Sequence, residues 1–478
     1  MSDSLSKHDR TQVAEGLRMT DPPDPAGLAA ERRALAELEG AGFVRRTRAY
    51  MKLIGPGYMQ SAMTLGGGTA AASLFAGALF GYQLLWVAPV AMILGVVMLS
   101  AVSYQTLSTG VRPFEAMRRF AGAPFAWGWA IGALLSSIIW HFPQYSLASA
   151  VLVDMGDVMG FEGLQPGMMG FVVLAWAIVF SMMYGTSPTL VRWYERILKY
   201  MVWGIVLCFG LVVVKTGIAD WGELAAGFIP FRIPGEANGV AGLTIVVSGL
   251  AAAVGVNMLF LYPYSLLARG WDREHRRLAR FDLYMGMLLP YVLATSLMVI
   301  AMANTIHLDE GFVASRLTPV QAAQSLAAVV GDTWGRVVFN LGVLGMVLSS
   351  ITLQMLCTGF VCVELFGWKF GSVRYRLATL LPVPGVLGSV YWAKVAVWLA
   401  IPTNIVCGLF LPLAYVGFIL LQRNRKYLGD DTPSGGKGRA WIGAMVFATL
   451  ILTAFLGWYL ITKGPEYLDM LTNSASGD

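Results

Sequence analysis

Eleven apolar stretches follow one another along this chain, and each is long enough to cross about 30 Å of hydrocarbon. That repetition limits the fold more than any single motif. A backbone in lipid must satisfy its own N–H and C=O groups, so stretches of this length are read as helices. They lie at about 50–78, 81–107, 125–155, 167–187, 196–217, 241–268, 281–305, 335–366, 376–398, 401–422 and 440–462. Only 13% of the 478 residues are charged, where soluble domains carry about 25%. The expected class is an all-α polytopic membrane protein.

The basic residues fall in clusters between the stretches. They precede the first (Arg45, Arg46, Arg48, Lys52) and follow the second (Arg112, Arg118, Arg119) and fourth (Arg192, Arg196, Lys199). They also follow the sixth (Arg269, Arg273, Arg276, Arg277, Arg280), the eighth (Lys369, Arg374, Arg376) and the tenth (Arg423, Arg425, Lys426). The opposite connections carry mostly acids: Asp154, Asp157, Glu162, Asp220, Glu223, Asp309 and Glu310. Every even-numbered exit is basic, which predicts a multi-pass protein of the plasma (inner) membrane with its N-terminus cytoplasmic and its C-terminus extracytoplasmic. The formal charge of +6 is spent on this topology and does not point to a nucleic-acid partner. No signal peptide is visible. Residues 1–45 read as a disordered polar tail with a short surface helix, and 463–478 as a second polar tail.

Two stretches are unlike the rest. The first contains Gly66-Gly67-Gly68-Thr69 at its middle. A glycine inside a helix costs about 1 kcal/mol relative to alanine, so three together predict that the helix opens there. The sixth runs from small residues into Asn257 and carries Pro263, which removes a backbone donor and predicts a second break. Interrupted helices in corresponding halves of an inverted repeat are a pointer to a transport site. Pro402-Thr403-Asn404 in the tenth stretch is either a further interruption or an ordinary helix start.

Other chemistry is sparse. Cys208, Cys357, Cys362 and Cys407 all lie in apolar runs without a CxxC pair, as buried free thiols do. His141 is the one histidine inside a span; it is either a proton carrier or, the favoured reading, a neutral ring held by a backbone carbonyl. Asp154 and Asp157 read as a solvated rim, and Arg192 with Glu195 as a structural ion pair. No HExxH, no Ser/His/Asp set and no Gly-rich phosphate loop is present, so an enzyme is not expected and no cofactor is called for.

Several segments together resemble the Nramp family of divalent-metal transporters. They are GPGYMQSAMTLGGGT with FGYQLLWV, Arg192-Trp193-Tyr194-Glu195, Ser349 to Phe366, and Leu409 to Asp430. The resemblance runs over about 50–465. It implies a LeuT-like fold: two inverted five-helix repeats at 50–217 and 241–422, joined by an extracytoplasmic connection at 218–240. A cytoplasmic loop at 423–439 then leads to one extra helix at 440–462, and helices one and six are broken at mid-membrane. The family's Asp-Pro-Gly-Asn signature, whose Asp and Asn are metal ligands, falls on Gly66-Gly67-Gly68-Thr69. Its Met-Pro-His-Asn signature falls on Asn257-Met258-Leu259-Phe260, or one residue later, which puts Met258 at the thioether position. Its span-ten Gln falls on Asn404, its span-three acidic pair near Phe142 and Tyr145, and its span-six histidines on Leu259 and Tyr264.

The usual metal ligands are therefore missing, and spans one and six contain no Asp or Glu. The candidate site residues are Gly66, Gly67, Gly68, Thr69, Asn257, Met258, Phe260, Tyr264, Asn404, His141 and Tyr145, with Trp140, Gln144 and Tyr262 as further walls. Stripping water from a doubly charged ion calls for compensating charge or many oxygens. Glycines enlarge a pocket, and freed N–H groups attract anions. The leading expectation is a secondary transporter, working by alternating access, for a neutral or anionic small solute. One alternative is a transporter of Mg²⁺ or Mn²⁺ using neutral oxygens, since magnesium keeps its waters. Another is a non-transporting sensor or scaffold, against which stand soluble ends too short to signal. The partners implied are a small-molecule or ion substrate and the lipid bilayer; nothing fixes an oligomeric state.

Overall fold

The computed structural model describes residues 16–38, 40–308, 320–323 and 331–476. Among the described residues, nine helices are long and apolar enough to cross a membrane, and the bent pair Pro56–Thr64 and Gly67–Phe80 makes a tenth. The third helix (Ala123–Val158) and the eighth (Asp332–Phe366) pack along each other at the centre. The third also contacts the fourth helix and the tenth segment, so it touches most of what surrounds the middle. Asp309 and Glu310 lie outside the described residues.

Prolines decide most departures from the expected boundaries. The fourth helix ends at Met183, and Pro188 opens the fifth (Pro188–Thr216) instead of closing the fourth. Ser187 caps that start by accepting from Leu190 N–H at 3.3 Å. Proline suits a first helical position because the N–H it lacks would have no partner there. The sequence RWYERILK, residues 192–199, thus lies inside a span, starting at its second turn. The sixth helix tolerates Pro263 inside Val256–Ala268 and breaks upstream, at Val254-Gly255. Likewise, Pro402 sits inside Ala396–Gly408, and the tenth segment is interrupted later, at Leu409-Phe410, before Leu411–Arg423.

Where a ninth continuous helix is expected, the chain forms short pieces: Val373–Ala378, Val383–Val386 and Leu387–Tyr391. Pro382 and Pro384 remove the donors a continuous helix would need. Glycines then let these turns lie directly on the third helix. A Cβ on Gly385 would come within 2.2 Å of His141 Cβ, and one on Gly388 within 2.2 Å of the Phe142 carbonyl oxygen.

Part of the expected polar tail is docked onto the basic face. Asp24 caps Pro25–Glu37 through Ala26 N–H and Gly27 N–H, both at 3.0 Å. Glu31 then accepts from Trp271 Nε1 at 3.1 Å, and Arg32 pairs with Asp272 at 2.6 Å. Upstream, Phe370 N–H donates to Arg18 O at 2.7 Å. A further helix, Phe43–Leu53, carries the basic cluster that precedes the first span. At the other end, the last helix runs from Gly435 to Ser476, through the segment expected to be a tail.

Asp154 is also not a rim residue. It is 1% exposed and accepts from both Arg336 and Asn340 of the eighth helix. The Arg336 guanidinium and the Asn340 amide on the carboxylate make its burial tolerable. Asp157, one turn on, is exposed.

Candidate functional site

The two halves of the first span, Pro56–Thr64 and Gly67–Phe80, meet at Leu65-Gly66 with a bend of 54°. A break there leaves backbone groups without helical partners, and neighbouring helices supply them. Gly67 N–H donates to Gln144 Oε1 at 2.8 Å. Ser350 Oγ donates to Met63 O at 3.1 Å and Ser349 Oγ to Ala62 O at 2.9 Å. Asn404 Nδ2 donates to Gly68 O at 3.1 Å and to Ser248 Oγ at 2.7 Å. Gln144 Nε2 closes the set by donating to Ser350 Oγ at 3.0 Å. Every one of these groups is neutral, and each belongs to another helix.

These contacts explain the three glycines. A Cβ on Gly68 would lie 2.0 Å from the Trp140 ring and 2.1 Å from Asn404 Oδ1. A Cβ on Gly66 would lie 2.6 Å from Ser350 Oγ and 2.7 Å from Gln144 Nε2, and one on Gly67 2.6 Å from Leu147 Cδ1. The glycines therefore do not enlarge a pocket, as the sequence suggested. They admit side chains of the third, eighth and tenth segments into the space. What is left is a cavity of about 20 Å³, lined by Thr64, Gly66, Trp140, Gln144, Gly255, Asn257, Met258 and Gln354 among others. That is room for about one water or one small ion.

The sixth-span break borders the same cavity. Asn257 Oδ1 accepts from Met258 N–H at 3.0 Å, and Met258 Sδ accepts from Gly255 N–H at 3.3 Å. Thr64 Oγ1 donates to the Ala253 carbonyl, tying the two breaks together. Asn257 Nδ2 reaches Ser137 Oγ at 3.3 Å. Both Asn257 and Met258 line the cavity, so either register of the sixth-span signature presents a side chain there.

Not every expected site residue is at this cavity. Thr69 turns away, donates to the Thr64 carbonyl, and lines a separate space of about 20 Å³ with Tyr291. Phe260 stacks on Tyr264 with ring centroids 5.0 Å apart, and Tyr264 accepts from Phe114 N–H at 3.0 Å. These two form a packed aromatic layer with Trp129 and not a cavity wall. His141 is fully buried, and its Nδ1–H donates to Ser137 O at 2.7 Å, which fixes the tautomer. Its ring is 5.8 Å from that of Tyr145. His141 Nε2, Gln354 Oε1, Tyr145 Oη and Asn404 Oδ1 are buried without a hydrogen-bond partner.

The sequence reading did not single out Ser350, Gln354, Ser248 or Thr64. A signal exists for two of them: Ser350 and Gln354, four residues apart in an apolar helix, share one face, and Gln354 Nε2 donates to Ser350 Oγ at 3.2 Å. Among the described residues, no cluster of three or more His, Cys, Asp or Glu stands ready for a metal.

Buried charge sits instead at the basic end of the first half-helix. Asp282 accepts from Gly55 N–H at 3.0 Å and from Gly57 N–H, capping Pro56–Thr64. Beside it, Arg269 donates to Leu53 O at 2.6 Å and pairs with Glu195 at 3.2 Å. The ion-pair partner of Glu195 is thus Arg269 and not Arg192, because the RWYERILK turn places Glu195 inward and leaves Arg192 exposed.

The profile of the "Natural resistance-associated macrophage protein-like" family matches residues 57–462. The chain belongs to the Nramp family. A divalent metal cation transporter MntH of Deinococcus radiodurans is 26% identical over 453 residues, spanning 92% of this chain and 97% of the relative. The MntH of Agrobacterium fabrum is 23% identical, spanning 86% and 88%. Among solved structures, the Eremococcus coleocola manganese transporter, bound to an aromatic bis-isothiourea compound, is similar with a TM-score of 0.69 at 15% identity, covering 99% of this chain and 95% of that one. Mhp1, a nucleobase-cation-symport-1 family transporter in a closed conformation, is similar with a TM-score of 0.54 at 16% identity, covering 86% and 93%. The protein is a membrane transporter of the Nramp family with a LeuT-like fold.

Proposed function

We propose that this Nramp-family protein carries a small divalent cation across the membrane by alternating access, holding it through neutral oxygens and one thioether. The observation that carries this reading is the cavity between the two breaks. It has room for an ion and little more, and its lining offers Gln354 Oε1 without a partner, the Met258 sulfur and the freed backbone. The relatives named as divalent metal cation transporters support the same substrate class. Neutral oxygens favour a hard ion such as Mg²⁺ over soft metals that seek thiolate or imidazole. An organic or anionic solute, the leading expectation from sequence, fits less well, because the space the glycines create is taken by Trp140, Gln144 and Asn404. Residues 50–217 and 241–422 then act as the two inverted repeats, with the basic face cytoplasmic.

The test is uptake of Mg²⁺ and Mn²⁺ into proteoliposomes, set against a panel of small organic and inorganic anions. Gln354→Leu and Asn257→Leu are expected to reduce metal uptake about tenfold each, the effect of about 1.4 kcal/mol at the site. Metal uptake indifferent to both substitutions, or anion uptake without metal uptake, would overturn the reading. Silence toward every solute would favour the sensor.

A further inference from the structure

A third cavity, of about 250 Å³, lies on the basic face, away from the breaks. It is lined by Tyr104, Arg280, Gln422, Pro433, Ser434, Lys437, Gly438 and Trp441. Four elements build it: the end of the second span, the start of the seventh, the end of the tenth and the start of the last helix.

Among the described residues no carboxylate lines it, and several of its polar groups are donors. The last helix, Gly435–Ser476, begins at the cavity, and the first N–H groups of a helix have no partners within it. Gly435 and Gly436 leave that backbone open, since a Cβ on either would meet nothing within 4 Å. Arg280 and Lys437 are exposed and pair with no acid among the described residues. Gln422 is fully buried; its Oε1 accepts from Gln105 Nε2 at 2.6 Å, and its Nε2 has no partner. The nearby carboxylate, Asp431, is already held by Arg273 at 2.7 Å and Arg276 at 3.2 Å. The half-buried Trp441 and Tyr104 stand at the rim, as aromatic residues do at the boundary between lipid and water.

We propose that this cavity binds a phosphate-bearing anion, and that its source is the headgroup of an anionic phospholipid in the leaflet on the basic face. Two unpaired cations and one orphaned amide donor line a cavity at a helix start, where an anion is the missing partner. The location between spans and the aromatic rim favour a headgroup over a soluble ion. The stretch Pro433-Ser434-Gly435-Gly436-Lys437-Gly438 is the sequence trace of this site: small residues, then a lysine, at a helix start.

The experiment uses delipidated full-length protein titrated with phosphatidylglycerol, phosphatidylcholine or inorganic phosphate, with bound lipid counted by native mass spectrometry. The expected result is one phosphatidylglycerol held in preference to phosphatidylcholine. Arg280→Ala and Lys437→Ala, both at exposed positions, should each weaken that lipid about fivefold, and the pair about thirtyfold. Lys437→Glu, read on the same folded protein, should abolish the preference. Equal retention of both lipids, or a preference unchanged in the double variant, would overturn the site. Displacement of the lipid by millimolar inorganic phosphate would overturn the lipid as its source.

Discussion

The two helix breaks at the centre of this transporter are held in different ways. At the first, the freed groups are satisfied by Gln144, Ser349 and Ser350 of the third and eighth segments, and Asn404 of the tenth adds a second donor to Gly68 O. At the sixth, the N–H side is satisfied largely by the break's own residues, Asn257 and Met258, and the carbonyl side by Thr64 of the first break. The first break is bent by 54°, while the sixth passes as one span across Val254-Gly255. The difference teaches where coupling lies. Moving the first break disturbs the backbone bonds made by the third, eighth and tenth segments together; the sixth holds its own N–H groups locally and touches the third and eighth helices through Asn257, Val256 and Cys357.

Substitutions can break this contrast. The largest effect is expected from Gly68→Leu, whose side chain would enter the Trp140 ring and Asn404 at once. Overpacking of this kind costs about 3 kcal/mol or more when the neighbours cannot yield. Thermal unfolding in detergent should show a steep loss of stability, partly recovered by adding Trp140→Ala.

A step smaller, Gln144→Leu strands Gly67 N–H and should cost about 1–3 kcal/mol. Asn257→Leu at the other break should cost under about 1 kcal/mol, near the average for a membrane side-chain hydrogen bond. Equal losses in the two variants would erase the proposed asymmetry.

Asp282→Asn sharpens the comparison from the basic end, because it replaces one of two acceptors that cap the first half-helix. The expected cost is about 0.5–2 kcal/mol. Thiol labelling of a Ser61→Cys background should speed up as Pro56–Thr64 loosens, and an unchanged rate would mean the cap does not restrain that half-helix. The smallest effect belongs to Gly255→Ala. Its Cβ would meet only the tip of Asn257, at 2.5 Å, and that side chain can turn aside. A shift below about 1 kcal/mol is expected, against the large one at Gly68.

The sequence alone determined the class, most of the spans and the location of the first break. Long apolar runs admit few structures in lipid, and three glycines at the middle of one have no other common use than a bend or a close approach. It also determined the missing carboxylate, since a residue that is absent needs no coordinates. The tertiary structure decided what the glycines are for. Whether removed side chains leave a space or admit a neighbour depends on Trp140, Gln144 and Asn404, which lie 72 or more positions away and reach the break only after the helices pack. It likewise decided that Pro263 and Pro402 sit inside helices while Val254-Gly255 and Leu409-Phe410 interrupt them. A proline takes away one donor, but packing determines whether the neighbouring carbonyls find another. The partners of Glu195 and Asp154 followed the same rule: charge type is written in the chain, and the opposite charge that makes burial possible is chosen by the fold.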